Sequence, residues 1–398
     1  MQKFLIRRDP RLHFTMLVPI PGEVSAPLPA NAQRCFTFAS GRYALFQGLK
    51  VMGIGTGDQV LVPAYHCSAA VTPITAVGAT PCFYDVNQDL SLNLSAIEAR
   101  IGTHTKAVMG VHYFGYPQPL KELRALCNAY GVLLIENCAH ILVGQVEGAA
   151  IGTIGDISVF SWRKYLPLYD GGMLVLNKPG LVLDLRRDQP GALDKAKSLK
   201  AIVEKLFDDG SSTYAQGTMS LTGRTVGGVS RVTKRIGDQT SKVSVPEGKS
   251  VDFNPGLANR EMSEISRFVL RHLNLREVAN ARRQNARALA QALSGMRGVT
   301  LLKPELTEEV CPLAFPVIVR GRPRFHVQLR SRGIPAFGWE GVISQEINLV
   351  DFPHAEFLFE HLFFLPLHQS LSRADLGLMI DVFTEALNEC GEPIVSHT

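Results

Sequence analysis

The fold class is decided by the stretch Val132-Leu133-Leu134-Ile135-Glu136-Asn137-Cys138-Ala139-His140. Its first four residues are apolar, which predicts a strand buried on both faces, as in parallel sheets covered by helices. Polar side chains follow where this strand should end, and burying them is costly unless a partner satisfies them. Since ligands of open parallel sheets collect beyond the carboxyl ends of strands, the same stretch predicts one edge of a binding site.

Short apolar runs alternate with amphipathic helical stretches on both sides of this strand, starting at about residue 40. Helices are expected from Gly41 toward Gly53, with Ser40 as the capping residue, and from Leu120 to Tyr130. The further strands expected here are Gln59-Val60-Leu61-Val62, Pro81-Cys82-Phe83-Tyr84, Ala107-Val108-Met109-Gly110-Val111, Ile157-Ser158-Val159-Phe160 and Met173-Leu174-Val175-Leu176. The alternation predicts an α/β fold with a mostly parallel sheet flanked by helices.

The second half of the chain predicts a different organisation. The stretch 179–253 is rich in Gly, Ser, Thr and Lys and is expected to be an irregular excursion with one helix from Lys195 to Leu206. A single long helix from Met262 to Leu293 should then lead into a small C-terminal α/β domain, with strands near 299–302 and 314–319 and helices near 324–332 and 373–387. We therefore predict an N-terminal segment, 1–35, a large domain, 36–255, and a bridging helix with a small domain, 256–398.

The composition is that of a soluble globular protein, and it argues against several classes of function. Of 398 residues, 46% are hydrophobic and 19% are charged, which suffices for more than one core. The net charge of +5 includes no dense basic run, so we expect a small anionic ligand and no nucleic acid. The seven cysteines show neither a CxxC pair nor zinc spacing, and we expect no metal. No signal peptide or membrane span is evident, so a cytoplasmic location is expected.

The candidate catalytic residue is Lys164, within Phe160-Ser161-Trp162-Arg163-Lys164-Tyr165-Leu166-Pro167-Leu168-Tyr169-Asp170-Gly171-Gly172. Ser161, Arg163 and Lys164 follow an expected strand closely, which favours a site for a phosphorylated aldehyde. Lys164 can attack a carbonyl when burial, or a cationic neighbour such as Arg163, keeps its amine partly neutral. The alternative is a solvated surface lysine, and this segment by itself does not decide between the two.

Two further segments are candidates for the same crevice. Ser40-Gly41-Arg42 offers a hydroxyl, a glycine and the free amides of a helix start, which suits phosphate, although an ordinary N-cap has the same pattern. Tyr65-His66-Cys67 follows a strand and offers rings that can cover a flat ligand, although such residues more often pack in a core. With the Glu136–His140 and Lys164 segments these make four candidates, in the order that one crevice requires.

The order of these segments resembles the DegT/DnrJ/EryC1/StrS aminotransferases, which are fold-type-I enzymes that use pyridoxal phosphate and act mostly on nucleotide-linked keto sugars. The resemblance extends over roughly residues 36 to 388 and implies a seven-stranded, mostly parallel sheet. It is carried by 53–63, 78–86, 105–108 and 111–115, by Leu134-Ile135-Glu136-Asn137-Cys138-Ala139-His140, by Asn259 with Met262-Ser263-Glu264, and by Leu365-Pro366-Leu367-His368.

The resemblance implies a role for each candidate residue. Lys164 would form the Schiff base with pyridoxal phosphate and then move the substrate proton. The cofactor's phosphate would be held by Ser40, Gly41, Arg42 and Ser161, with Arg163 beside it. Asn259 would reach the phosphate in a neighbouring subunit, because the family builds each site across the interface of a homodimer.

The same resemblance implies what lies around the cofactor ring. One residue of Tyr65, His66 and Cys67 would cover the ring, and His140 would lie near its phenolic oxygen or its face.

Three departures from the family pattern concern the chemistry. Asn137 stands where the family has an aspartate that keeps the pyridine nitrogen protonated, so a weaker electron sink is expected. Glu136 is not expected to replace that aspartate, because adjacent strand residues point to opposite faces. The stretch before Lys164 is two residues shorter than usual, and Cys67 occupies the usual position of the stacking aromatic.

The leading hypothesis is therefore an aminotransferase that moves an amino group from a donor such as glutamate to a keto sugar or a related carbonyl acceptor. A lyase or dehydratase is a weaker alternative, because the family's dehydratases carry histidine in place of the lysine. A binding protein that has lost turnover is the other alternative, and Asn137 favours it.

Overall fold

The computed structural model describes residues 5–12, 34–146, 148–185, 187–207, 253–303, 306–307, 310–339, 343–344 and 346–389. A seven-stranded sheet and a two-stranded hairpin form the large domain. The strands in chain order are β1 Cys35–Phe38, β2 Gln59–Pro63, β3 Thr80–Tyr84, β4 Thr105–Val111, β5 Leu133–Cys138, β6 Gln145–Val146, β7 Ala149–Ala150, β8 Ile157–Phe160 and β9 Gly172–Leu176.

The order of the sheet is β1-β9-β8-β5-β4-β2-β3, and β9 alone runs antiparallel to its neighbours β1 and β8. The buried strand predicted around Val132–Ile135 is β5, near the middle, where Leu134 and Ile135 are fully buried. The seven-stranded, mostly parallel α/β sheet expected from the sequence is confirmed. It brings the ends of β2, β5 and β8 to the same edge, where the candidate residues lie.

The helices of the large domain are Gly41–Val51, Ser68–Ala76, Leu94–Glu98, Leu120–Tyr130 and Ala192–Phe207. Leu120–Tyr130 has the predicted bounds because Gly131 adopts a left-handed conformation, φ 66°, that ends it. Ser40 occupies the N-cap position of Gly41–Val51, but its hydroxyl makes no capping hydrogen bond, contrary to expectation. The excursion predicted at 179–253 does contain a helix, and its part from 208 to 252 lies outside the described residues.

The prediction of one bridging helix from Met262 to Leu293 is wrong. Two helices, Glu264–His272 and Leu275–Leu293, are separated by Leu273 and Asn274, whose backbones are extended. The side chain of Asn274 accepts a hydrogen bond from the backbone N–H of Glu277 at 3.0 Å, so it caps a new helix. The prediction failed because the helical spacing of hydrophobic residues continues across the break. The short polar side chain of Asn274, which can bond to nearby backbone and interrupt a helix, was therefore overlooked.

The small domain contains an antiparallel sheet of three strands, β10 Val299–Leu301, β11 Ala314–Val319 and β12 Leu362–Pro366. Its helices are Phe325–Ser331, Pro353–His361 and Arg373–Glu389. Residues 5–12 join the domains, because Ile6 packs in the small-domain core and Leu12 in a core of the large domain. No helix among the described residues is long and apolar enough to cross a membrane.

Candidate active site

Lys164 ends a short 3-10 turn, Trp162–Lys164, directly after β8. Its side chain has substantial accessible surface. Burial among the surrounding protein atoms nevertheless lowers the pKa of its amine to about 8. The charges of Arg163 and Arg42 lower this pKa further, whereas the thiol of Cys67 raises it. The side chain thus keeps accessible surface while many protein atoms surround its amine. The surrounding protein decides the amine's chemistry, because desolvation acts on the charge itself. A lysine with a lowered pKa carries a larger neutral fraction than an ordinary lysine, which is the condition that the sequence analysis set for Lys164.

Lys164 is not remote from the end of β5. Burial and the charge of Lys164 together hold the pKa of His140 well below its usual range, so the imidazole is neutral. The ring of His140 stacks on Phe114, with centroids 5.1 Å apart, and lies 5.2 Å from Trp339 of the small domain. Its Nδ1 atom is buried without a hydrogen-bond partner among the described residues.

The segment Ser40-Gly41-Arg42 forms a cradle at the start of helix Gly41–Val51. A Cβ atom on Gly172 would lie 2.2 Å from the carbonyl carbon of Ser40 and 2.4 Å from the nitrogen of Gly41, so only glycine fits there. A Cβ on Gly41 would lie 3.2 Å from the Cβ of Ser161, which brings the two halves of the cradle together. The first of these close approaches depends on Gly172, the last residue of the Asp170-Gly171-Gly172 run.

The cradle fits a phosphate group. The hydroxyl of Ser40 is buried and has no hydrogen-bond partner within the described chain, so it is available to a ligand. Burial and the charge of Arg42 lower the pKa of Arg163, which shows that two guanidinium groups lie close together here. Two serines, a helix start and clustered cations are the donors that an anionic phosphate requires.

Asp170 anchors the lysine segment, and the sequence analysis did not single it out. Its carboxylate is buried and accepts hydrogen bonds from the N–H and the hydroxyl of Ser263, each at 2.9 Å. The backbone N–H of Gly171 donates to the carbonyl of Ala39 at 3.0 Å, beside the cradle. The sequence signal that could have pointed to Asp170 was the Asp-Gly-Gly run, because a carboxylate that is buried beside two glycines requires specific hydrogen-bond partners.

Asn137 lies at the end of β5, and its amide is partly engaged. Its Oδ1 atom accepts the backbone N–H of Ala139 at 3.0 Å, and its Nδ2 atom approaches the sulfur of Met109 at 3.4 Å. No negative charge is present at this position.

Glu136 cannot supply that charge, as predicted. Burial alone would raise its pKa, but the hydrogen bonds from His112, Gly155 and Gly152 hold the pKa below its usual value. Its oxygens accept bonds of 2.7 to 3.2 Å from Gly152, Ile154, Gly155, Ser158 and His112. The carboxylate is thus fully used in holding the loop before β8.

His112, Glu136 and Cys138 form a buried cluster whose donor atoms lie within 4.8 Å of one another. Nδ1 of His112 accepts the backbone N–H of Gln118 at 2.8 Å, so Nε2 carries the proton and donates to Glu136. With these atoms already paired, the cluster is a structural hydrogen-bond network.

The three ring-covering candidates have different surroundings. Tyr65 is fully buried against Phe359 and Trp339, with centroid distances of 4.7 and 5.2 Å. His66 stacks on Phe83 at 5.1 Å, and burial lowers its pKa to about 4. Cys67 is half-buried, and its thiol acts electrostatically on both Arg163 and Lys164. Of the three, Cys67 is the one whose charge affects the pKa of the lysine.

Asn259 lies near the other end of the cradle helix. Its Oδ1 atom accepts a hydrogen bond of 2.8 Å from Nε2 of Gln47, which also donates to the carbonyl of Ala258. This contact holds Asn259 on the surface of helix Gly41–Val51. Its expected role in a neighbouring subunit stays a prediction.

The sequence model of the DegT/DnrJ/EryC1/StrS aminotransferase family matches residues 30–204, which include the cradle, Cys67, Asn137, His140 and Lys164. The match covers less than half of the chain, so it shows similarity to this family over residues 30–204. The resemblance to the DegT/DnrJ/EryC1/StrS family expected from the sequence is thereby confirmed for those residues.

Individual proteins are also similar to this chain. GDP-perosamine synthase of Vibrio cholerae is 37% identical over 144 residues, which span 35% of this chain and only 39% of that protein's length. The solved structure of the aminotransferase TlmJ from Streptoalloteichus hindustanus has a TM-score of 0.64 and 25% identity, covering 91% of this chain and 87% of its own. The PLP form of the putative sugar aminotransferase Spr1654 from Streptococcus pneumoniae, at 17% identity, shares the fold with a TM-score of 0.67, covering 96% and 99% of the two chains. The fold-type-I architecture therefore extends over nearly the whole chain.

Proposed function

We propose that this protein is an aminotransferase that depends on pyridoxal phosphate. The observation that carries the proposal is an amine of lowered pKa, Lys164, lying beside the neutral ring of His140 and beside the arginines of a phosphate-shaped cradle. Pyridoxal phosphate supplies an aldehyde that amines capture and a ring that withdraws electrons from the attached carbon. Binding, orientation and proton movement are left to the residues of the chain.

The side chains of the cleft divide these tasks. Lys164 would hold the cofactor through its amine and would move the proton of the substrate carbon. Ser40, Gly41, Arg42, Ser161 and Arg163 would hold its phosphate. His140 would offer a hydrogen bond to the cofactor's phenolic oxygen, and Cys67 would take the place where the family commonly has an aromatic side chain.

The proposed substrates are an amino donor such as glutamate and a carbonyl acceptor, a keto sugar carried on a nucleotide. The name of the GDP-perosamine synthase relative supports this acceptor class. Trp339, whose ring lies near His140, is the residue of the small domain that we expect to contact the acceptor. We further propose a cytoplasmic homodimer in which Asn259 reaches the phosphate site of the partner, with no nucleic-acid partner.

A second candidate is a pyridoxal-phosphate protein with altered or lost turnover, and Asn137 is the observation that favours it. An amide does not keep the ring nitrogen protonated, so the electron sink is weaker than in relatives with aspartate. A lyase or dehydratase remains the weaker form of this candidate, because Lys164 is present.

Visible absorbance of the purified protein with pyridoxal phosphate, recorded before and after glutamate, separates the candidates. Conversion of the cofactor band to the pyridoxamine form supports transamination, whereas a band that ignores amino donors supports altered turnover. Borohydride reduction followed by peptide mapping should place the adduct on Lys164. Lys164→Ala should lose the adduct and the exposed-lysine control Lys106→Ala should keep it; an adduct elsewhere, or no band, would contradict the proposal.

A further inference from the structure

Arg282 is a buried cation that has only neutral acceptors among the described residues. It lies on helix Leu275–Leu293 with 1% of its surface exposed. Its guanidinium donates to the carbonyls of Leu367 at 2.8 Å, Tyr165 at 2.9 Å, Leu313 at 3.1 Å and Pro312 at 3.2 Å, and to Oε1 of Gln369 at 3.0 Å. Burying a charge without a counterion is expensive, so five acceptors within 3.2 Å indicate a specific task.

Tyr165 connects this cation to the cleft. It directly follows Lys164 in the chain, and its ring lies under the guanidinium of Arg282, 4.8 Å from the centroid. Its hydroxyl has one proton to share between the carbonyl of His140 at 2.7 Å and the carbonyl of Cys311 at 2.9 Å. A single buried unit therefore holds the backbone next to the lysine and the backbone of the neighbouring histidine.

The same unit joins the two domains. Leu367 and Gln369 follow β12 of the small domain, whereas Tyr165 belongs to the large domain. The planar fork of an arginine can reach acceptors on several segments at once, which a lysine cannot do.

We propose that Arg282 is a positioning residue: through Tyr165 it sets the place of the Lys164 amine against His140, and it ties that place to the small domain. The proposal rests on the proposed function of Lys164. A positioning role differs from a purely structural role in one respect. It requires the reactivity of the Lys164 amine to change when Arg282 loses its contacts.

Arg283 provides a matched control. It is the next residue on the same helix, is also buried, and donates to the carbonyl of Val310 and to Asn280. Neither of these partners belongs to the lysine segment. Arg282→Lys and Arg283→Lys thus make the same chemical change at adjacent buried sites.

The test measures how fast acetic anhydride acetylates Lys164 at different pH values, in protein without cofactor. The rate is quantified on the Lys164 peptide, with the exposed Lys106 as the reference. In the wild type, the midpoint of the rate against pH should lie near pH 8. Arg282→Lys should raise it by about one pH unit, because a loosened segment lets water reach the amine. The groups facing the amine, namely Cys67, Arg163, Arg42 and His140, are unchanged in both variants.

Arg283→Lys should leave the midpoint where it is in the wild type. If Arg282→Lys does not fold, Tyr165→Phe releases the carbonyl of His140 while keeping the ring, and should move the midpoint in the same direction. An unchanged midpoint in the folded variant, with a loss of stability equal to that of Arg283→Lys, would overturn the proposal. Since no cofactor or substrate is used, a failure of transamination in the wild type leaves this result readable.

Discussion

Asp170 and Ser263, 93 residues apart in sequence, form a closed pair in which one carboxylate receives both hydrogen bonds that the serine can donate. Ser263 is also the N-cap of helix Glu264–His272. The pair therefore fastens the segment after Lys164 to the beginning of the bridge between the domains.

Removing both members of this pair should destabilise the protein less than the sum of the two single losses, because either substitution alone already breaks the interaction. Asp170→Asn and Ser263→Ala are each expected to lower the free energy of unfolding by about 1–3 kcal/mol, because each leaves a buried polar group without its partner. Urea denaturation of the two single variants and the double variant measures the coupling, expected at about 1–2 kcal/mol. Additive losses would show that the two residues do not act as a pair.

Ser40→Ala should weaken binding of pyridoxal phosphate without cost to the cofactor-free protein. The buried hydroxyl has no partner in the described chain, so its loss should leave the free energy of unfolding unchanged or slightly raised. Affinity for pyridoxal phosphate should fall roughly tenfold through loss of a charge-assisted hydrogen bond, whereas affinity for pyridoxal, which lacks phosphate, should not change. Fluorescence titration with both compounds makes the comparison.

The matched control for this serine is Ser158→Ala. Its hydroxyl donates to Glu136 at 3.1 Å and accepts from Asn177 at 3.0 Å, so this variant should lose stability and keep its affinity. A Ser40→Ala variant that behaves like Ser158→Ala would mean that Ser40 has a structural partner and no role in binding phosphate.

Asn137→Asp should accelerate the reaction with the amino donor. The aspartate keeps the oxygen that accepts the N–H of Ala139 and adds the charge that protonates the ring nitrogen. We expect the rate of cofactor-band conversion by glutamate to rise roughly tenfold or more, measured by stopped-flow absorbance. Asn128→Asp, an exposed change of the same charge on a helix, is the control and should have no effect; a slower Asn137→Asp would show that the amide itself is used.

Lys164→Met should make the cofactor-free protein more stable at pH 7 while abolishing activity. The folded pKa of Lys164, about 8, lies below the unfolded value of 10.5, so the unfolded chain binds the proton more tightly. The resulting cost to stability is fully present below pH 8 and disappears as the pH rises from 8 to 10.5. The difference in thermal midpoint between variant and wild type should therefore shrink between pH 7 and pH 10. An equal difference at both pH values would mean that the pKa of the lysine is not lowered.

Much of the fold could be predicted because its signals are local. The helix Leu120–Tyr130 and the strand Ile157–Phe160 have the predicted bounds, since a glycine stop and a four-residue apolar run mark them within the segment itself. Strand β12 was missed because Leu362–Pro366 follows helix Pro353–His361 with no turn residue between them. The helix break at Asn274 was missed because the helical spacing of hydrophobic residues continues beyond the end of the first helix.

The candidate site was predicted as a set of segments, and its internal arrangement was not. The ends of parallel strands necessarily meet at one edge, which grouped Cys67, His140 and Lys164 in advance. Which of Tyr65, His66 and Cys67 approaches the lysine depended on how Phe359, Trp339 and Phe83 pack around the other two.

The sequence by itself determined most elements of the large domain, their mostly parallel arrangement and the lysine, because hydrophobic period, glycine stops and polar residues at strand ends are properties of short segments. Only the tertiary structure decided that Asp170 meets Ser263 and that the guanidinium of Arg282 lies over the ring of Tyr165. Such pairs join residues about a hundred positions apart. Their geometry follows from the closing of the two domains, which no segment encodes separately.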